Sequence, residues 1–82
     1  MTNFTFLITA FNPGNYILTT INSILNQTFS DFLILYIDDS STDFSLSSLE
    51  KIQDSRLKII KNKQKIGLIN SLKKGIDLVT TK

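Results

Sequence analysis

Phe32-Leu33-Ile34-Leu35-Tyr36-Ile37-Asp38-Asp39-Ser40-Ser41-Thr42-Asp43 is an apolar run that stops at two adjacent carboxylates and passes into a hydroxyl-rich turn. Six apolar residues in succession read as a strand buried on both faces, which is the usual state of a parallel sheet covered by helices. Open parallel sheets bind their ligands beyond the carboxyl ends of the strands. The acidic pair therefore stands where a small polar molecule would be met.

The flanking sequence repeats the pattern. Phe4–Phe11 is rich in β-branched and aromatic residues and reads as a first strand. Asn12-Pro13-Gly14-Asn15 is a turn, and a helix is expected over about Asn15–Asn26, with Ile17, Ile21, Ile24 and Leu25 on one apolar face. Gln27–Asp31 connects it to the strand Phe32–Ile37. Ser40–Asp43 reads as a turn and cap for a short helix near Ser45–Gln53, with Leu46, Leu49 and Ile52 inward. Leu57–Ile60 is a third strand, and Lys61–Lys65 is a basic loop. Gly67 begins a last helix in which Ile69, Leu72, Ile76 and Val79 keep the 3-4-3 spacing of an amphipathic helix.

The order β-α-β-α-β-α implies right-handed crossovers and an α/β fold: a three-layer parallel sheet with flanking helices. In this topology a fourth strand would normally pair beside the first. The sequence stops before one, which would leave an apolar edge open. The chain thus reads as the front part of a longer domain.

Composition narrows the chemistry. Eighty-two residues make one small domain at most. There is no cysteine and no histidine, so disulfides, thiolate or imidazole metal sites and imidazole acid–base catalysis are excluded. Carboxylates, lysines, hydroxyls or an oxygen-bound metal remain. The start lacks a positively charged leader, and no apolar run approaches the roughly 20 residues that span a bilayer. A cytoplasmic location is the expectation. Residues 1–50 hold five acidic side chains and no basic one, whereas residues 51–82 hold all nine basic side chains against two acidic. A basic half is compatible with a solvated helix and turn, a phosphate site, a membrane surface or nucleic acid.

Three segments carry candidate chemistry. Asp38 and Asp39 either end strand pairing and cap the next helix, or contact a ligand as charged acceptors or divalent-cation ligands. The loop Thr9–Asn15 has a single glycine, Gly14, which excludes both the G-x-G-x-x-G and the G-x-x-x-x-G-K-[ST] phosphate loops. Lys61, Lys63 and Lys65 leave the third strand at its carboxyl end, as a solvated turn or as diphosphate contacts. Lys73 and Lys74 are expected on the outer, solvated face of the last helix.

Taken together, Thr9-Ala10-Phe11-Asn12, Ile21–Phe29 and Ile37-Asp38-Asp39-Ser40-Ser41-Thr42-Asp43 resemble the start of a family 2 glycosyltransferase with the GT-A fold. Ile66-Gly67-Leu68-Ile69-Asn70 resembles a later segment of the same pattern. The resemblance covers essentially the whole chain. It implies a partial, Rossmann-like GT-A domain over residues 1–82, an amino-terminal fragment that forms the nucleotide-sugar half. It implies nucleotide-binding roles for Thr9, Ala10, Phe11, Asn12, Asp38, Asp39, Lys65 and Gly67. Thr9 and Asp39 would face the base, usually uracil, with Asp39 accepting the imide N–H. Ala10-Phe11 stands where Pro-Thr-Tyr is commoner. The family's Asp-x-Asp segment, which holds Mg²⁺ or Mn²⁺, and its later acidic general base would both follow Lys82. No catalytic and no metal-binding residue is therefore assigned here.

The implied partners are a nucleotide-diphosphate sugar and an acceptor glycan or lipid-linked sugar, in polysaccharide biosynthesis, with membrane association of the intact protein. Two other classes compete. A receiver-like signalling or nucleotide-binding α/β module would place its acidic pair after the first strand, where Ala10-Phe11-Asn12 stands instead. A nucleic-acid partner is disfavoured because residues 51–82 contain no aromatic side chain for base stacking.

Overall fold

A computed structural model describes residues 4–27 and 31–80. Three strands, β1 (Phe4–Ala10), β2 (Phe32–Asp38) and β3 (Leu57–Lys61), alternate with three helices, α1 (Tyr16–Leu25), α2 (Ser45–Glu50) and α3 (Leu68–Thr80). The strands form one parallel sheet in the order β1-β2-β3. The expected α/β architecture is present, and the elements lie within a few residues of their expected limits. Part of the expected connector Gln27–Asp31 and of the Ile21–Phe29 segment lies outside the described residues.

β2 is central, and all of its residues except Leu33 are buried. Both of its faces are covered, so its sequence is a continuous apolar run rather than an alternating one. On one face Phe32, Ile34 and Tyr36 pack with Ile17 and Ile21 of α1 and Leu49 of α2, flanked by Phe6, Ile8 and Ile59. The Phe6 and Phe32 rings meet edge to face at 5.3 Å, a geometry that aromatic quadrupoles favour. Register matters most at the carboxyl ends. Ala10 pairs with Asp38, and Asp38 with Lys61, so three loops open along one edge of the sheet.

The opposite face carries α3, which rests mainly on β1 and less on β2. Its contact is made by small residues. Ser71 and Gly75 are buried, one helical turn apart. A Cβ at position 75 would collide with a methyl of Leu7 and approach Ile37 Cδ1 at 2.9 Å. The apolar stripe of the sequence does not face the sheet: Ile69 is 68% exposed and Ile76 52% exposed. A helix pressed this close to a strand must present small side chains, so its larger ones turn outward. Lys74 also departs from expectation. It is half-buried and bonded to the β3–α3 loop.

Arg56 ties the start of β3 to the end of α1. Its guanidinium makes a two-pronged contact with Asp54 (Nε to Oδ1 3.0 Å, Nη2 to Oδ2 2.8 Å) and donates to the Leu25 carbonyl at 3.2 Å. It also lies 4.7 Å over the Phe32 ring. The Arg56 side chain, then its backbone N–H, hold the Asp54 carboxyl down to about 2 against the effect of burial. A folded-state value below the unfolded one means stability that is present above about pH 4 and lost as pH falls toward 2. Arg56→Ala is expected to lower stability at neutral pH and to flatten that acid limb. Urea midpoints of both proteins at pH 7 and pH 2.5 read the difference.

Candidate functional site

The loops after β1 and β2 are locked together at the carboxyl edge. Asn12 sits in the left-handed region at φ 49, where Asn is among the better-tolerated residues. Its Oδ1 accepts the Thr42 and Asp43 N–H groups at 2.7 and 3.1 Å, and its Nδ2 donates to Thr42 Oγ1 at 3.3 Å. Its own N–H donates to Ser41 Oγ at 2.9 Å. Asp43 closes the other side, accepting from the Gly14 N–H, the Ser45 N–H and the Ser45 hydroxyl. The Ser45 hydroxyl leads in holding the Asp43 carboxyl below the ordinary carboxylate range, and the two N–H groups add to it against burial. Asp43 thus holds the chain at the entrance to α2, while the N-cap position itself falls on Phe44, one residue past the expected Ser40–Asp43 cap, and carries no side-chain cap bond.

Asp39 joins this edge to the β3–α3 loop. Its N–H donates to the Ala10 carbonyl at 2.9 Å. Its Oδ1 accepts the Ile66 N–H at 2.8 Å and Asn62 Nδ2 at 3.0 Å, and its Oδ2 accepts the Gly67 N–H at 2.9 Å. Gly67 has φ +90, so a side chain there would strain the turn that aims its N–H at the carboxylate. The side chain is nearly inaccessible, and burial pushes its carboxyl upward. The Ile66 N–H, the Asn62 amide, the Gly67 N–H and the Lys65 charge together outweigh burial, leaving Asp39 below its ordinary value. A carboxylate offers about four acceptor sites. Three are filled by the loop, and one on Oδ2 has no partner among the described residues.

Asp39 also lines a cavity of about 330 Å³, together with Ala10, Phe11, Lys65, Gly67 and Leu68. The Lys65 ammonium lies 4.1 Å over the Phe11 ring, so a cation and an aromatic face meet on the cavity wall. Five of the eight residues singled out from sequence are therefore brought together: Ala10, Phe11, Asp39, Lys65 and Gly67. Thr9, Asn12 and Asp38 are not among the lining residues. Thr9 is half-buried within β1, opposite Ile37. Asn12 is committed to the loop clamp.

Asp38 is 1% exposed, and its Oδ2 accepts the Ser41 N–H at 2.8 Å. Its Oδ1 and the Tyr36 hydroxyl are buried with no hydrogen-bond partner among the described residues. Burial, then the Asp38 and Asp43 charges, push the Tyr36 phenol above its ordinary range. The period of two along a strand explains the split within the acidic pair: neighbouring side chains leave on opposite faces. That signal was available in the sequence.

Three contributors carried no clear sequence signal. Asn62 is 6% exposed and Ser71 is fully buried, although Asn62 stands between two lysines. Asn62 Nδ2 donates to both Asp39 Oδ1 and Ser71 Oγ, each at 3.0 Å, and Lys74 Nζ donates to Asn62 Oδ1 at 2.7 Å. Lys61 pairs loosely with Glu50 at 3.5 Å, and Lys63 is exposed.

Among the described residues no three acidic side chains are grouped so as to hold a metal ion. Asp38 Oδ2, both oxygens of Asp39 and both of Asp43 accept from N–H or O–H donors. No helix of the described residues is long and apolar enough to cross a membrane.

Comparison with known proteins supplies the context for this pocket. The chain matches the family model described as Glycosyl transferase family 2 over residues 5–82. It is 47% identical over 72 residues to an uncharacterized glycosyltransferase of Haemophilus influenzae, an alignment covering 85% of this chain and 22% of that protein. It is 43% identical over 56 residues to the UDP-Glc:alpha-D-GlcNAc-diphosphoundecaprenol beta-1,3-glucosyltransferase WfaP of Escherichia coli, covering 68% of this chain and 22% of the relative. It is 26% identical over 82 residues to the amylovoran biosynthesis glycosyltransferase AmsB of Erwinia amylovora, covering 95% and 27%. The chain thus spans about a quarter or less of the length of the curated relatives it matches.

Proposed function

Because the chain belongs to glycosyl transferase family 2, we propose that the cavity beside Asp39 receives the base of a nucleotide-diphosphate sugar, a UDP-sugar in the first instance. The observation that carries this reading is Asp39, held in its charged form, with one acceptor position on Oδ2 unmatched among the described residues, lining one cavity with Phe11 and Lys65. Uracil presents an imide N–H that such an oxygen accepts. Cytosine presents a lone pair at the same ring position and would be repelled. The Phe11 ring offers a face for stacking, and Lys65 offers a charge toward the phosphates. The WfaP relative carries a UDP-sugar donor in its name, which supports the same choice of base.

The intact reaction would break the bond between the donor's anomeric carbon and its diphosphate and join that carbon to an acceptor hydroxyl, which gives up its proton. The acceptor is a glycan or a lipid-linked sugar, in polysaccharide biosynthesis. Residues 1–82 supply the nucleotide-sugar half. The ligands of a divalent metal on the diphosphate, and the base that takes the hydroxyl proton, belong to other residues than these. The chain alone is expected to bind nucleotide and to turn over no UDP-sugar, with or without Mn²⁺.

Calorimetry with UDP, ADP and GDP tests the reading. UDP is expected to bind more tightly than either purine nucleotide, and equal affinity for all three would contradict it. Phe11→Ala is expected to raise the UDP dissociation constant about 10-fold, in line with roughly 1–3 kcal/mol per stacked base. Phe11 is 43% exposed, so its stability should change little.

A further inference from the structure

The polar chain running from Asp39 into α3 has a direction built into it. Lys74 has only donors, so at 2.7 Å it must face the oxygen of the Asn62 amide. With Oδ1 so fixed, the Asn62 NH₂ can only face Asp39 Oδ1 and Ser71 Oγ, both at 3.0 Å. The Asn62 N–H is spent on the Asp38 carbonyl at 2.8 Å. The backbone N–H, the NH₂ group and the amide oxygen of this buried residue are all engaged, and its amide cannot flip without setting NH₂ against the ammonium. Asn62 and the Ile66 N–H fill Asp39 Oδ1, and this leaves Oδ2 as the oxygen with an acceptor site to spare.

Resting on the nucleotide-site reading above, we infer that Asn62, oriented by Lys74 from α3, is a positioning residue that sets which oxygen of Asp39 meets the base, and so sets the preference for uracil over cytosine. Neither side chain lines the cavity. Both act through Asp39. Without the Lys74 donor only the two bonds of its NH₂ to Asp39 and Ser71 hold the Asn62 amide, and a flip that turns its oxygen to the carboxylate is no longer opposed by an ammonium. That arrangement is repulsive unless Asp39 takes up a proton, and a protonated Asp39 donates a hydrogen bond to the cytosine ring nitrogen instead of accepting one from uracil. The charge that acts on Asp39 directly is Lys65 from the loop, and Lys74 from α3 bonds the Asn62 amide.

The test uses the 82-residue chain with Lys74→Met, which keeps the apolar stem and removes the donors, and Lys74→Arg, which restores a donor. Dissociation constants for UDP and CDP are measured at pH 7, and the Ile66 and Gly67 amide shifts are followed against pH without ligand. The expected result is a UDP-to-CDP preference about 10-fold smaller in Lys74→Met and recovered at least in part in Lys74→Arg. The amide titration midpoint should rise in Lys74→Met. An unchanged preference in a well-folded Lys74→Met, or an unchanged midpoint, would overturn the inference. Wild-type chain that binds neither nucleotide would defeat the site reading instead. The ligand-free titration would still decide whether Lys74 governs Asp39.

Discussion

Asp39→Asn is expected to destabilise the chain by about 3 kcal/mol and to weaken UDP binding by at least about 100-fold. The wild-type carboxylate accepts three hydrogen bonds from Ile66, Asn62 and Gly67. An amide has one oxygen to offer. Turned toward Ile66 and Asn62, it sets its NH₂ against the Gly67 N–H, and turned the other way it opposes two donors. At least one donor is orphaned in a nearly inaccessible setting, at about 1–3 kcal/mol, and the other bonds lose their charge assistance. For a domain of this length, total stability on the order of 4–12 kcal/mol makes that a large fraction. Asp39 is held below its ordinary value in the fold, so its contribution is present above its unfolded pKa and is lost as pH falls through the lower folded one. The variant should lack that component. Urea unfolding at pH 7 and pH 3 measures both effects, and stability equal to wild type at pH 7 would show that the loop does not depend on the carboxylate.

The second large effect is expected at Asn12. Asn12→Ala removes the acceptor of the Thr42 and Asp43 N–H groups and places an alanine at φ 49. A left-handed alanine costs about 1–2 kcal/mol, and the exposed clamp bonds about 1 kcal/mol more, giving about 2–3 kcal/mol in total. Asn12→Gly separates the two terms: glycine accepts the backbone and loses only the clamp, so it should cost about 1 kcal/mol. Phe11 is next in sequence, and loosening its anchor should also raise the UDP dissociation constant in both variants. If alanine and glycine proved equally costly by thermal unfolding, backbone strain at position 12 would be ruled out.

These two residues mark how far the sequence could be read. The architecture was legible because β2 is buried on both faces, and such a strand has a plain signature in Phe32–Ile37. Asp39 was legible because the same run says where the strand ends. The separate fates of Asp38 and Asp39 were implicit in strand alternation. The face of α3 was also implicit, in the small residues Ser71 and Gly75 at helical spacing, but the larger stripe Ile69, Leu72, Ile76 gave the stronger signal and pointed outward. Asn62 was hidden. Its partners Asp39, Ser71 and Lys74 lie 23, 9 and 12 residues away in sequence, and no periodicity marks a polar residue buried by the meeting of two loops and a helix. Lys74 was hidden for a related reason: a long side chain on a charged helix face does not announce that its tip turns back to a buried amide.

We propose that a uracil base is held at Asp39, beside Ala10 and Phe11. Following the backbone amide resonances of the ¹⁵N-labelled chain during titration with UDP tests it most directly. The largest movements should fall on Ile66 and Gly67, whose N–H groups share the carboxylate, and on Phe11. Saturable movements confined to the apolar hollow at the other end of the sheet, around Leu33, Lys58 and Leu78, or none at all at millimolar UDP, would contradict it.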